Sequence, residues 1–323
     1  MKLIGVAMVR NEADIVEAFV RHNLRLLDRL VVIDHGSADA TGEILLRLRD
    51  EGLPLTVGLD RSIEFHQGRV LSEAMRQSLA AHDADYGFAL DADEFVVAPS
   101  RAALERMLAL IPGDRVGYVP WTLYVPSPGA DAAAHPFRRL RHRVLDPRLT
   151  MRKVVVPRSF ATLPRRFIDA GNHWVFDVVP GSPQRVVEGV ALEARLAHLP
   201  YRSVAQTTQK VVLGYFAQRL ALGAETASRI GWHWRHAYER VLAGGLQQDD
   251  LALLAKQSYL GEQPFAHAGE RAPPETVEDP LPDPEPLRYR ALSRVDPLAR
   301  LAQWTERLLG ATEVPATGGG GPR

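Results

Sequence analysis

The first hundred residues alternate short apolar runs with amphipathic segments of helical period. Apolar runs of strand length cover residues 2–9, 29–34, 53–60 and 85–96. Between them, apolar positions recur every three or four residues over 11–27, 41–52 and 68–84, as on one face of a helix. Strands that alternate with helices of this length need right-handed crossovers and form a parallel sheet with helices on both faces. The sequence therefore predicts an α/β fold with a doubly wound, mostly parallel sheet.

Polar clusters follow three of these strands. Asn11 and Glu12 lie at the carboxyl end of the first strand, residues 34–39 at that of the second, and residues 91–94 at that of the fourth. In open α/β sheets ligands bind beyond the carboxyl ends of the strands. We therefore expect the three clusters to meet at one rim of the sheet.

The segment "DADEF", residues 91–95, places three carboxylates directly after the apolar run "YGFAL". Burying an unpaired carboxylate is costly, so the cluster requires a counter-cation or a solvent-facing position. In an extended strand side chains alternate, which predicts that Asp91 and Asp93 project to the same side. Paired carboxylates suit Mg²⁺ or Mn²⁺ bridging a diphosphate. The alternative is that these acids only end a strand or cap the next helix.

Composition limits the classes of function. The 323 residues carry 46% apolar and 24% charged side chains with a formal net charge of zero, values that indicate a soluble globular protein and no nucleic-acid partner. The absence of cysteine excludes disulfides and thiolate metal sites. No apolar stretch reaches the length of a membrane span and no signal peptide is evident, so we expect a cytoplasmic location without a transmembrane segment.

Positive charge concentrates in residues 138–166, where nine Arg and one Lys face one Asp. This stretch is either a solvated basic face that balances the acidic residues near 270–285, or a surface for an anionic substrate that is phosphorylated or membrane-borne. The second alternative includes peripheral contact with the inner face of the membrane.

The segments "VRNEADIVEAFVRHNLRLLDRLVVIDHGSADAT" and "ALDADEF" resemble the donor half of family 2 glycosyltransferases of the GT-A fold. The resemblance covers about the first hundred residues, and the ordered set of three motifs is more specific than any one alone. It implies a nucleotide diphosphate sugar as donor, a glycan, sugar or lipid-linked acceptor, Mn²⁺ or Mg²⁺ as cofactor, and inversion at the anomeric carbon. The matching positions of the donor site are Asn11, Glu12, Asp34, Ser37, Asp39, Thr41, Asp91 and Asp93.

By this resemblance Asp34 hydrogen-bonds the nucleotide base, and Asp39 supports the ribose or the loop. Asp91 and Asp93 hold the ribose and the metal. A later stretch, "HLPYRSVAQTTQKVVLG", resembles a segment of bacterial members that modify surface polysaccharides. It suggests His198 as a further metal ligand.

Two basic residues of the same stretch, Arg202 and Lys210, are then candidate diphosphate clamps. His173, in "GNHW", is a rival metal ligand or an acceptor contact. The pattern along the chain, taken with the resemblance, predicts a nucleotide-sugar-binding half (1–125), an acceptor region with helices towards its C-terminal end (126–260), and a Pro-rich extended tail with one helix and a disordered end (261–323).

The chain departs from the family in two places. It lacks the Glu-Asp pair ahead of a helix where family members commonly keep the catalytic base, which leaves Asp169, Asp177 and Glu188 as open candidates. It also lacks the Q-x-x-R-W motif of processive polysaccharide synthases.

Other functions compete with glycosyl transfer. A non-catalytic nucleotide-sugar-binding protein of the same fold and a phosphatase of the haloacid dehalogenase type stay open as alternatives. A nicotinamide dehydrogenase is disfavoured because no G-x-G-x-x-G follows the first strand.

Overall fold

The computed structural model describes residues 1–62, 66–126, 135–178, 181–182, 184–230, 232–260, 275–284, 286–296, 298, 301–302 and 305. For 220–230, 232–234 and 256–260 only the backbone is described. The predicted disordered end and most of the predicted last helix, residues 297–310, lie outside this part of the chain.

Strands and helices alternate through the first third of the molecule, as predicted. The strands are β1 (Leu3–Val9), β2 (Arg29–Asp34), β3 (Leu55–Leu59), β4 (Tyr86–Leu90), β5 (Glu94–Val97), β6 (Val116–Val125), β7 (His142–Val144), β8 (Arg152–Pro157), β9 (Arg166–Ile168), β10 (Val175–Asp177), β11 (Arg185–Val186), β12 (Gly189–Ala191), β13 (Arg195–His198) and β14 (Thr276–Glu278). The helices are α1 (Val16–Asn23), α2 (Thr41–Asp50), α3 (Gln67–Ala81), α4 (Arg101–Ala109), α5 (Pro136–Arg139), α6 (Val204–Ile230), α7 (Trp232–Leu242) and α8 (Gln248–Leu260).

In the central sheet the neighbouring strands β3-β2-β1-β4 all run parallel, and β3 is at one edge. Beyond β4 the order continues β8-β6-β7-β14, and β8 runs antiparallel to both β4 and β6. Strand β1 is buried along its whole length. Its side chains divide between two cores, since Leu3 and Ala7 pack with α1 and α2 while Ile4 and Val6 pack with α3. The predicted doubly wound, mostly parallel α/β architecture is confirmed.

The fourth strand ends earlier than the sequence suggests. Strand β4 stops at Leu90, residues 91–93 form a turn, and β5 begins at Glu94. The prediction that Asp91 and Asp93 project alike from an extended strand is therefore wrong. The chain turns here because β5 leaves the parallel sheet to pair antiparallel with β13, which places His198 opposite Glu94.

The Arg-rich stretch is neutralised mainly by partners within the protein. Strand β14, from the acidic segment, pairs antiparallel with β7. The ion pairs of this stretch include Arg138–Asp283, Arg141–Glu278, Arg143–Asp279, Arg158–Asp83, Arg158–Asp85 and Arg166–Asp114. These contacts favour the first alternative, a basic face that balances the acidic segment. Among the helices whose residues are described, none is long and apolar enough to cross a bilayer.

Candidate active site

The loops after β1 and β2 are joined by side-chain hydrogen bonds. Asn11 has a left-handed backbone (φ 57°), a conformation that asparagine tolerates better than most residues. Its N–H donates to Ser37 Oγ (2.9 Å), and its Oδ1 accepts from the N–H of Ala38 (2.8 Å). Asp39 Oδ2 accepts from the N–H of Ala13 (3.1 Å). Ser37 and Asp39 therefore hold the first two motifs together.

Asp34 ends β2 at the same rim and is buried. One carboxylate oxygen accepts from the N–H of Ser37 (2.8 Å). The other lies against the first turn of α2, where a Cβ added to Gly42 would stand 2.8 Å from it. Residue 42 has to be small for this carboxylate to keep its position.

Asp91 lies in a polar network on the other side of the rim. Lys153, 1% exposed in its side chain, donates to Asp91 Oδ2 and to the carbonyl oxygen of Gly171 (2.7 Å). Asp91 Oδ1 accepts from Gln67 Nε2 (2.9 Å) and from Asn172 Nδ2 (3.2 Å). The Asp91 side chain keeps 29% exposure, so its carboxylate is oriented by protein groups while still reaching solvent.

Glu94 fixes the turn that carries both aspartates. Its fully buried carboxylate accepts from Trp121 Nε1 (2.7 Å), lies 3.1 Å from Lys153 Nζ, and accepts from the N–H of Asp91 (2.9 Å). Burial raises the pKa of Glu94 to about 8; the Lys153 charge opposes this, and Asp91 and Asp93 add to it. Lys153 stays charged because Asp91 and Glu94 raise its pKa more than burial lowers it.

Asp93 faces a different set of groups. Its carboxylate lies 2.8 Å from Lys210 Nζ, 3.5 Å from His198 Nε2 and 3.6 Å from Arg202 Nη1. Burial opposes ionisation, but Lys210, His198 and Arg202 outweigh it and hold the pKa of Asp93 well below its usual range. The structure thus joins the "DADEF" motif to the late "HLPYRS" segment.

Arg202 is fully buried at the centre of an ion-pair network. Its Nε and Nη2 donate to the two oxygens of Asp14 (2.8 and 2.9 Å), Nη2 also donates to Glu12, and Nη1 donates to the carbonyl oxygen of Leu199 (3.2 Å). Burial raises the pKa of Glu12 to about 7 although the Arg202 charge opposes it. Because the Arg202 side chain is fully buried, it has no exposed surface that a diphosphate could contact, whereas the Lys210 side chain is 27% exposed. This geometry favours Lys210 over Arg202 as the clamp.

The two candidate histidines lie around one indole ring. His198 stacks on Trp121 with ring centroids 4.2 Å apart, and His173 approaches the same ring edge-on at 5.1 Å. Burial lowers the pKa of both histidines, that of His173 to about 4. The His173 imidazole is therefore neutral near pH 7, the form that binds a metal or accepts a hydrogen bond.

The predicted metal ligands fit a divalent ion in part. Asp93 and His198 lie side by side and offer a carboxylate and an imidazole, to which phosphate oxygens and water could add. Asp91 is instead oriented by Lys153. Across the residues with described side chains, no three His, Asp or Glu groups are already arranged around one point in the manner of a metal site.

The three base candidates lie in different surroundings. Asp169 starts the loop that contacts Asp91 and Lys153; it is half-buried, and burial raises its pKa. Asp177 pairs with Arg165 (2.6 Å), and Glu188 is 75% exposed and pairs with Arg115. The contacts described here bring only Asp169 towards the aspartate cluster.

Several residues of the cluster were not predicted as site residues: Asp14, Gln67, Glu94, Trp121, Lys153 and Asn172. One signal was available for Lys153. Lysine provides only four of the 39 basic residues, yet two of the four, Lys153 and Lys210, contact the two aspartates. Where nearly all basic residues are arginine, a lysine indicates a position at which a compact ammonium group fits better than a planar guanidinium.

No curated protein sequence matches this chain. Among solved structures, a mannosyltransferase from Pyrobaculum calidifontis in complex with GDP-Man and Mn²⁺ is 16% identical, with 97% of this chain and 88% of that chain covered and a TM-score of 0.37. Glucosyl-3-phosphoglycerate synthase from Mycobacterium tuberculosis is 19% identical, with 71% and 80% covered and a TM-score of 0.34; its complex with Mn²⁺ and UDP-glucose is 16% identical, with 71% and 79% covered and a TM-score of 0.33.

The family model described as glycosyl transferase family 2 matches residues 6–170. This span contains the three rim motifs and more than half of the 323 residues. The chain therefore belongs to glycosyl transferase family 2.

Proposed function

We propose that this protein transfers a hexose from a nucleotide diphosphate sugar to an acceptor hydroxyl, with inversion at the anomeric carbon. The observation that carries the proposal is the position of Asp93, which lies between His198 and Lys210 at the rim where the loops after β1, β2 and β4 end. Carboxylate, imidazole and ammonium groups at one point are what a metal-bound diphosphate requires.

The donor would lie along this rim. In this proposal Asp34 binds the nucleotide base, Asp91 the ribose, and Lys210 the diphosphate. Asn11, Glu12, Ser37 and Asp39 would shape the loops around it. Asp93 and His198 would hold Mn²⁺ or Mg²⁺, which when bound neutralises charge on the departing diphosphate as a Lewis acid. Arg202 would act through Asp93 and Glu12, whose positions it fixes.

The acceptor hydroxyl needs a base on the side opposite the diphosphate. We assign this role to Asp169, because its loop contacts Asp91 and Lys153 and because burial raises its pKa above that of an exposed aspartate. Asp177 and Glu188 are engaged by Arg165 and Arg115. Their contacts give them no part in the proposed mechanism.

The biological setting is proposed from the resemblance of residues 198–214 alone. We propose a role in bacterial surface-polysaccharide biosynthesis at the cytoplasmic side, with a glycan, sugar or lipid-linked acceptor. His173 would contact the acceptor, since it lies against Trp121 on the ring that His198 also contacts.

The proposal is tested in two steps. Thermal shift with UDP, GDP, UDP-glucose and GDP-mannose, with and without Mn²⁺, reports donor binding because a ligand of the native state raises the melting temperature. Radiolabelled donor then reports transfer to a mixed glycan acceptor panel. We expect a metal-dependent shift and transfer that are lost in Asp93→Asn and kept in Asp283→Asn, an exposed aspartate paired with Arg138.

Other outcomes have defined meanings. A thermal shift without transfer to any acceptor would favour a non-catalytic nucleotide-sugar-binding protein. Release of inorganic phosphate from simple esters would favour a phosphatase. No shift with any nucleotide would contradict the proposed donor site.

A further inference from the structure

A cleft of about 480 Å³ opens beside the aspartate cluster. It lies between the end of β6, strand β7 with the turn that follows it, and Glu275. This volume is within the range of about 300–1,000 Å³ typical of small-molecule sites. Trp121 belongs to its wall, so the cleft borders the site described above.

Trp121 contacts both the cleft and the residues of the candidate active site. Its ring stacks on His198 at 4.2 Å, and its Nε1 donates to Glu94. His198 lies 3.5 Å from Asp93. A molecule held against this wall of the cleft would therefore stand next to the position proposed for the diphosphate.

The cleft has an apolar floor and a charged rim. Leu123 is buried and packs in the same core cluster as Leu149, and both line the cleft. Arg143, Asp146 and Glu275 contribute charge to the rim. An aromatic wall beside an apolar floor suits the C–H face of a sugar ring, while charged groups at the edge suit its hydroxyls.

The balance of charge argues against an anionic occupant. Arg143 is paired with Asp279 (3.1 Å), and Asp146 is paired with Arg148 (2.8 Å). Asp279 also pairs with Arg195 (3.0 Å). With Glu275, these residues carry three negative and three positive charges. A phosphate placed here would lose its hydration and meet arginines that already pair with carboxylates, which is unfavourable.

We infer that this cleft receives the acceptor, and that the acceptor is a neutral saccharide. The inference rests on the proposed glycosyl transfer and names its second substrate. A hydroxyl oxygen of the saccharide forms the new bond to the anomeric carbon, the bond from that carbon to the diphosphate oxygen breaks, and the hydroxyl proton passes to the base.

The test uses the full chain and neutral methyl glycosides of the common hexoses, with the corresponding hexose phosphates as the anionic comparison. Saturation-transfer NMR measures binding without any donor. Leu145→Trp fills the cleft from a position that is 38% exposed, and Leu110→Trp makes the same change at a position outside the cleft that is 73% exposed.

We expect neutral glycosides to bind the wild type and Leu110→Trp with equal affinity. Their affinity for Leu145→Trp should be at least about tenfold lower, since steric differences in a binding pocket change affinity by about this factor or more. The thermal shift with nucleotide sugars should be the same in all variants. Binding of hexose phosphates in place of glycosides, binding of neither, or equal behaviour of the two Trp variants would overturn the inference while the donor site stands. If nucleotide sugars do not raise the melting temperature of the wild type, the proposed function itself is contradicted.

Discussion

The clearest test of the buried network is the substitution Arg202→Met. Arg202 has no exposed surface, and its positive charge compensates the carboxylates of Asp14 and Asp93, whose side chains are each 5% exposed. Methionine keeps much of the volume but leaves these carboxylates short of a cation. Removing one partner of a buried ion pair costs about 3–5 kcal/mol, because the remaining charge stays desolvated.

The loss is measured by urea denaturation and by thermal melting. At about 2.1 cal/mol/K per residue, the entropy of unfolding of 323 residues converts this loss into a fall in melting temperature of about 4–7 °C. The control is Arg235→Met, which removes an exposed pair with Glu239 on one helix. Such a pair contributes about 0.3–0.5 kcal/mol, so the control should melt close to the wild type.

The result that refutes this reasoning is specific. If Arg202→Met unfolds within about 1 kcal/mol of the wild type and yet loses nucleotide binding, then Arg202 contacts the ligand directly and is not a positioning residue. Arg202→Lys keeps the charge but cannot bond both oxygens of Asp14 in the same way. It should fall between the wild type and the methionine variant.

Three further predictions concern the rim. Lys210→Met should weaken binding of UDP or GDP by about 10–100-fold in calorimetry, because it removes a charge-assisted hydrogen bond. The control Arg49→Met, on the exposed face of α2, should leave the affinity unchanged. Equal affinities of the Lys210→Met variant and the wild type would show that Lys210 does not contact the nucleotide. Gly42→Ala should weaken nucleotide binding with little change in the free energy of unfolding, because the new Cβ would press on the Asp34 carboxylate; unchanged affinity would argue against a role for Asp34. The pKa of Glu94 is raised from 4.5 to about 8, so the folded state holds its proton longer than the unfolded state and stability from this group falls as pH rises between those values. Urea denaturation at pH 5 and pH 8 should show a smaller loss in Glu94→Gln than in the wild type, and equal losses would contradict the pKa assignment.

Much of the fold could be predicted because its signals are local. The buried strand β1 and the amphipathic α2 and α3 each show their period within one segment. The parallel order follows from their alternation, and the GT-A architecture expected from the family resemblance is confirmed. The meeting of the first two motifs could be anticipated for the same reason, since Asn11 and Asp34 follow neighbouring parallel strands.

The rest depends on contacts between distant segments. Lys153 reaches Asp91 because β8 inserts antiparallel between β4 and β6, a pairing that no local pattern encodes. The turn after Leu90 depends on the pairing of β5 with β13, about a hundred residues later.

The roles of basic residues were equally hidden from the sequence. Arg202 and Lys210 both appeared as phosphate clamps. Their burial distinguishes the two residues, because the Arg202 guanidinium is enclosed by carboxylates while the Lys210 ammonium reaches the surface.

The central claim is that a nucleoside diphosphate and its metal bind against Asp93, and its most direct test is Mn²⁺ titration followed by electron paramagnetic resonance. The signal of free Mn²⁺ is recorded with and without UDP or GDP, for the wild type, Asp93→Asn and the exposed control Asp283→Asn. We predict that the nucleotide promotes binding of Mn²⁺ in the wild type and in the control, and that this binding is lost in Asp93→Asn. Equal Mn²⁺ binding in all three proteins, or none in the wild type with either nucleotide, would contradict the account.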